Sequence, residues 1–149
     1  MIKMVSKSVA FSTLLLTVAA ALLGSCATMA PMMGGQKIEL SGSNEVPPVT
    51  TSANGNATVD IKPDRSVTAT VTVSGMAPTA SHIHEGAAGA NGPVIVPFVK
   101  TGDNTFAAAE GAKLTEAQYE SYKAGKLYVN VHSAKNPAGE IRGQLKGNF

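Results

Sequence analysis

Val67, Ala69, Val71 and Val73 alternate with Thr68, Thr70, Thr72 and Ser74, so one side of this run is apolar and the other polar. Successive side chains on a strand point to opposite faces, and a period of two built on β-branched residues specifies a strand that buries one face. Ala57, Val59 and Ile61 repeat the pattern upstream. Pro63-Asp64-Arg65 between them is a turn signal with proline at its second position. The two runs read as a β-hairpin. A lone hairpin cannot bury its apolar face, so the rest of the chain must supply more sheet.

Further strands are predicted over residues 37–40, 81–85, 93–100, 127–132 and 139–146. Residues 93–100 are apolar on both faces, which predicts a central strand. Residues 44–51 carry Pro47 and Pro48 and belong on an edge or in a loop. Residues 86–92, GAAGANG, form a glycine-rich loop without the lysine of a phosphate loop. Residues 136–139 are a turn. One helix is expected, near 115–124. Thr115 is a good N-cap with Gln118 three residues on, and Gly125 is a stop. Short strands, frequent turns and one helix predict an all-β fold, an antiparallel β-sandwich or barrel of Greek-key type. There is no Trp, and the single cysteine is Cys26, so no disulfide forms and Val, Ile, Leu and Ala must build the core.

The N-terminus has a different character. Lys3 and Lys7 precede fifteen mostly apolar residues, 9–23, a stretch shorter than the roughly 20 that a membrane span needs. It fits an export signal. Leu23-Gly24-Ser25-Cys26 follows and resembles the lipobox of bacterial lipoproteins. That resemblance implies diacylglyceryl transfer to the Cys26 thiol and cleavage before it. The expected organisation is a signal peptide over 1–25, a flexible tether over 26–36 and a β domain over 37–149. Removing Lys3 and Lys7 from twelve basic residues leaves ten against ten acidic ones, a neutral mature chain. Neutrality gives no reason to expect nucleic acid as a partner. Ala27 lacks the aspartate that resembles an inner-membrane retention signal, so the expected location is the cell envelope, at the outer membrane where a cell has two.

Five blocks occur in order: Asn44-Glu45-Val46-Pro47-Pro48, His82-Ile83-His84-Glu85-Gly86, Asn91-Gly92-Pro93-Val94, Tyr128-Val129-Asn130-Val131-His132, and residues 137–144, PAGEIRGQ. Together they resemble the CHRD domain, the module first described in chordin. The resemblance covers residues 37–146. It implies an all-β extracytoplasmic domain and no defined activity.

His82, His84 and His132 all fall in these blocks. If Ile83 faces the core, His82 and His84 face away from it. If Leu127, Val129 and Val131 face the core, Tyr128, Asn130 and His132 face outward, and Ile141 and Leu145 likewise send Glu140, Arg142 and Gln144 outward. Two imidazoles one residue apart on a strand are spaced about 7 Å along the backbone, and a third from a neighbouring strand completes a three-nitrogen metal site. Imidazole ligands suit Cu, Zn, Ni and Fe, with copper bound most tightly. Residues 82–89 also resemble the copper-binding strand of copper/zinc superoxide dismutase, and residues 129–132 are similar to the strand that carries a later copper histidine there. The zinc-binding cluster and the disulfide of that enzyme are missing, so dismutase activity is not implied. Around the histidines, Glu85 is a candidate ligand, supporting group or loop ion pair. Asn130, Glu140 and Arg142 are candidate supports, and Glu140 and Arg142 are expected to pair with each other or with Glu45. Met29, Met32 and Met33 offer thioethers but read as spacer.

No catalytic constellation is visible. The first expectation is therefore a lipid-anchored envelope module that binds a protein or another surface component without catalysis. The alternative is a copper-binding protein using His82, His84 and His132. A copper-dependent redox enzyme stands behind both.

Overall fold

The alternation of residues 67–73 becomes the scaffold of the fold. A computed structural model describes residues 34–147; the predicted signal peptide, Cys26 and the tether through residue 33 lie outside them. Eight strands appear in the order β1 (Gln36–Ser41), β2 (Asn54–Ile61), β3 (Val67–Ser74), β4 (Pro78–Glu85), β5 (Val94–Gly102), β6 (Thr105–Ala108), β7 (Leu127–Ser133) and β8 (Ile141–Gln144), with helix α1 (Glu116–Lys123) before β7. Every pairing is antiparallel. Around the sheet the order is β1-β2-β3-β6-β5-β4-β7-β8, and the Ser41–Arg142 pairing of β1 with β8 closes it into a barrel.

The predicted hairpin is present, with Val59 opposite Ala69 and Val71 opposite Ala57. Its turn puts Arg65 at φ 72°, and the Asp64 carboxylate holds it by accepting from the Ser66 amide at 3.0 Å and the Ser66 hydroxyl at 2.7 Å. The inward faces interdigitate into one core in which Val71, Ile83, Val129, Val131 and Ile141 are fully buried. Eight strands leave an interior just wide enough for side chains to fill. Helix α1 starts on the predicted capping box, Thr115 with Gln118, and Gly125 follows its end at φ 69°. It delivers Tyr122 to the core, where the Tyr122 hydroxyl accepts from Gln36 at 3.0 Å.

The run over residues 93–100 is central as expected, and one further strand joins it. β5 has neighbours on both sides, yet Val94 and Val99 are 47% and 54% exposed. A barrel strand has only one inward face, so apolar residues on its other face meet solvent unless a loop covers them. β6 was not expected at all. Its Thr-Phe-Ala-Ala sequence has no strong β signal, and it forms because β3 and β5 each need a partner there to close the sheet.

Candidate metal centre

Strand parity assembles the site. Ile83 and Val129 point into the barrel and lie opposite one another on β4 and β7. His82, His84, Tyr128, Asn130 and His132 therefore share the outer face, and β8 adds Arg142 and Gln144. The register aligns His82 with Asn130 and Arg142, and His84 with Tyr128 and Gln144. His132 lies opposite Ala80, two residues before His82 on the same face. The three rings converge: their centres are 4.8 Å apart for His82 and His132, 5.5 Å for His82 and His84, and 5.9 Å for His84 and His132. One ring nitrogen from each lies within 4.8 Å of the other two.

Backbone carbonyls fix which nitrogens are free. His84 Nδ1 lies 2.9 Å from the Gly92 carbonyl and His132 Nδ1 lies 3.0 Å from the Pro137 carbonyl. A carbonyl only accepts, so both Nδ1 atoms carry the proton and both Nε2 atoms present a lone pair. His82 Nδ1 sits 3.0 Å from His132 Nε2 and donates to it. His84 Nε2 is buried with no hydrogen-bond partner among the described residues. Burial, reinforced by the neighbouring His132 and His84, pushes His82 down to about 4. Burial also lowers His84; the bond to Gly92 opposes this, and the His132 and Arg142 charges add to it. Both imidazoles are thus held neutral at pH 7, the form that binds metal.

The outer face that carries Asn130, Glu140 and Arg142 is not open surface. Parity turns them out of the barrel as predicted, but loops 42–53 and 86–92 cover them, and Asn130, Arg142 and Tyr128 are each at most 3% exposed. Arg142 donates to Asn91 Oδ1 at 3.1 Å and to the carbonyls of Ala90 and Ala87 at 2.8 and 3.3 Å. Its guanidinium carbon lies 3.4 Å from the centre of the Tyr128 ring. Tyr128 in turn stacks on His84, with ring centres 4.9 Å apart at 10°, and its hydroxyl accepts from the Gly92 amide at 3.1 Å.

The expected ion pairs do not form. Among the described residues the salt bridges are Arg65–Glu116 and Lys123–Glu120. Glu140 instead accepts from Thr51 at 2.7 Å and from Ser133. Burial works to raise its carboxyl, but the hydrogen bonds from Ser133, Thr51 and Asn136 outweigh that and hold it below the usual range. This carboxylate ties β8 to the 133–139 turn, which carries the Pro137 carbonyl that orients His132. Glu85 accepts from Ser121 of α1 at 2.5 Å and stays out of the histidine cluster. Sequence reasoning missed Glu45 and Tyr128 as site elements. Glu45 is buried, accepts from Asn130 Nδ2 at 2.6 Å, and leaves Asn130 Oδ1 without a partner.

The family model of the CHRD domain matches residues 37–145. The chain belongs to the CHRD domain family. No curated protein and no solved structure matches it. The conspicuous blocks of this CHRD domain now have structural roles: the histidines converge, Asn91-Gly92 anchors Arg142 and His84, and Glu45 and Arg142 belong to the buried layer behind them.

Proposed function

We propose that this CHRD domain is a metal-binding module of the cell envelope that takes a transition-metal ion, copper best of all, at His82, His84 and His132. The observation that carries the reading is His84 Nε2: a buried nitrogen with no hydrogen-bond partner among the described residues, on a ring whose centre lies 5.5 and 5.9 Å from those of two further imidazoles. Leaving a buried acceptor unmade costs roughly 1–3 kcal/mol, a cost a bound cation would offset. The fit is close. Imidazole nitrogens bind such ions at roughly 2.0–2.1 Å, which limits two ligands of one ion to about 4.2 Å apart. The widest separation here, 4.8 Å, needs only a small side-chain adjustment. Three imidazole nitrogens with no thiolate or carboxylate among them favour copper over calcium, magnesium or manganese. The carbonyls of Gly92 and Pro137 orient two of the ligands, and His82 joins them by shifting its proton from Nδ1 to Nε2. When bound, copper supplies one-electron chemistry; the chain's own residues hold and orient it, and none of them is placed as an acid, base or nucleophile for turnover.

Titration of the purified protein with Cu(II) and Zn(II) tests this. The His82→Ala/His84→Ala/His132→Ala variant is expected to bind at least about a hundredfold more weakly. Equal affinity in the two proteins would sink the metal reading.

The same proposal includes lipid anchoring through Cys26, supported by the apolar leader and the Leu23-Gly24-Ser25-Cys26 sequence. Two or more acyl chains are what stable anchoring takes. Cys26→Ser should leave an uncleaved, unlipidated precursor in intact-mass measurement of the membrane fraction. A mass equal to that of the processed wild type, allowing for the side-chain change, would refute it.

A further inference from the structure

Arg142 is an ion without an ionic partner. It is 2% exposed, its hydrogen bonds run to two carbonyls and two side-chain amides, and among the described residues no carboxylate lies within salt-bridge distance. A buried charge is normally paired, and an unpaired one is costly unless something else requires it. Glu45, the acid nearest in effect, is itself only partly ionised near neutrality because burial pushes its carboxyl up to about 7. What Arg142 does touch is the face of Tyr128, and Tyr128 also stacks on His84. Tyr128 thus joins the guanidinium to the imidazole in one contact chain. Loop 86–92 clamps that contact chain at both ends, through the Ala87, Ala90 and Asn91 oxygens on Arg142 and the Gly92 carbonyl on His84.

Resting on the copper reading above, we infer that the charge of Arg142, held against Tyr128, biases the centre toward the reduced, monovalent ion. A fixed positive charge repels a divalent ion more than a monovalent one. The two stacking distances put the guanidinium carbon within about 8.3 Å of the His84 ring centre. An ion on Nε2 would be at most roughly 11 Å away, and at an effective dielectric of about 20 one unit of charge there changes the ratio of Cu(I) to Cu(II) affinity about tenfold. For a one-electron couple that is about 60 mV of midpoint potential. Tyr128 separates the two cationic ends and holds the ring plane of His84, so charge and orientation have different owners.

The Cu(II)/Cu(I) midpoint potential of the copper-loaded protein tests this, with Cu(I) affinity measured by chelator competition. Arg142→Met removes the charge and is expected to lower the potential by about 60 mV, the tenfold change above. Arg142→Lys keeps the charge and should leave the potential near that of the wild type. Asn91→Asp, an exposed change, places a carboxylate on the Arg142 Nη1 that Asn91 now holds at 3.1 Å, gives up the 2.8 Å bond from Asn91 Nδ2 to the Val46 carbonyl, and should lower the potential in the same direction. It carries the test if Arg142→Met does not fold. Tyr128→Leu should weaken Cu(I) and Cu(II) alike and leave the potential in place. A wild type that loads neither ion overturns the copper reading and this inference together. A wild type that loads copper, with Asn91→Asp unchanged in potential or Arg142→Lys shifted as far as Arg142→Met, overturns this inference alone.

Discussion

Gly92→Ala is expected to destabilise the domain by roughly 3–5 kcal/mol, at the upper end for a single substitution. A Cβ at this position would lie 1.6 Å from the Glu85 carbonyl oxygen and 2.7 Å from its carbon. Both are backbone atoms at the end of β4, so no side-chain rotation relieves the clash. The surrounding bonds are also concentrated here. The Gly92 amide donates to Tyr128, its carbonyl accepts from His84, and the adjoining Pro93 carbonyl accepts from the Glu85 amide at 3.0 Å. Forcing loop 86–92 away from β4 breaks these together, and it withdraws the acceptors that anchor Arg142. Urea unfolding would show a lower midpoint, and metal affinity would fall with it, because His84 would lose the carbonyl that fixes its tautomer. A loss under about 1 kcal/mol would mean the loop adjusts freely, contrary to the packing described.

This glycine marks the limit of what the sequence made legible. Period-two alternation over residues 67–73 and 57–61 established the hairpin and the all-β class, and the Thr115–Gln118 capping box located the helix. Parity about Ile83 and Val129 put three histidines on one face, and that inference survives in the structure because it depends only on the geometry of a strand. Alternation reports two faces but not what lies over each. Asn130 and Arg142 therefore read only as outward-facing, and that loops 42–53 and 86–92 bury them was not legible. Val94 and Val99 belong to a run read as a central strand, and although the strand is central they are 47% and 54% exposed. The ligand-orienting groups are backbone carbonyls of Gly92 and Pro137, which carry no side-chain signature. Glu45 lay in view inside a proline-rich segment, but its partner Asn130 is 85 residues away, a pairing that no local pattern reveals.

Glu45→Gln is expected to make the protein more stable above neutral pH, and the sign follows from burial. The Glu45 carboxyl is pushed up from 4.5 to about 7 by burial, against the opposing pull of Arg142 and of the Val46 amide. A group whose folded value is raised contributes stability that is fully present below its unfolded value and is lost as pH rises through the folded one. The wild type should therefore lose about 3 kcal/mol between pH 4.5 and pH 8 on this account, at 1.36 kcal/mol per unit. Glutamine cannot ionise, still offers an oxygen to Asn130 Nδ2, and escapes the loss. His82 works in the other direction. Its folded value is depressed from 6.5 to about 4, so its contribution is whole above pH 6.5 and is lost as pH falls through about 4. A single stability curve mixes these two slopes, but His82 is common to both proteins and cancels in their difference. Denaturant unfolding of the metal-free pair should give a stability difference near zero at pH 4.5 that grows in favour of Glu45→Gln and levels off above pH 7. Parallel curves would show that Glu45 ionises in the folded protein as it does in the unfolded chain. The layer behind the histidines would then be wet enough to solvate a carboxylate, and the cost assigned to the unpartnered His84 Nε2 would shrink with it, because both rest on the same exclusion of water.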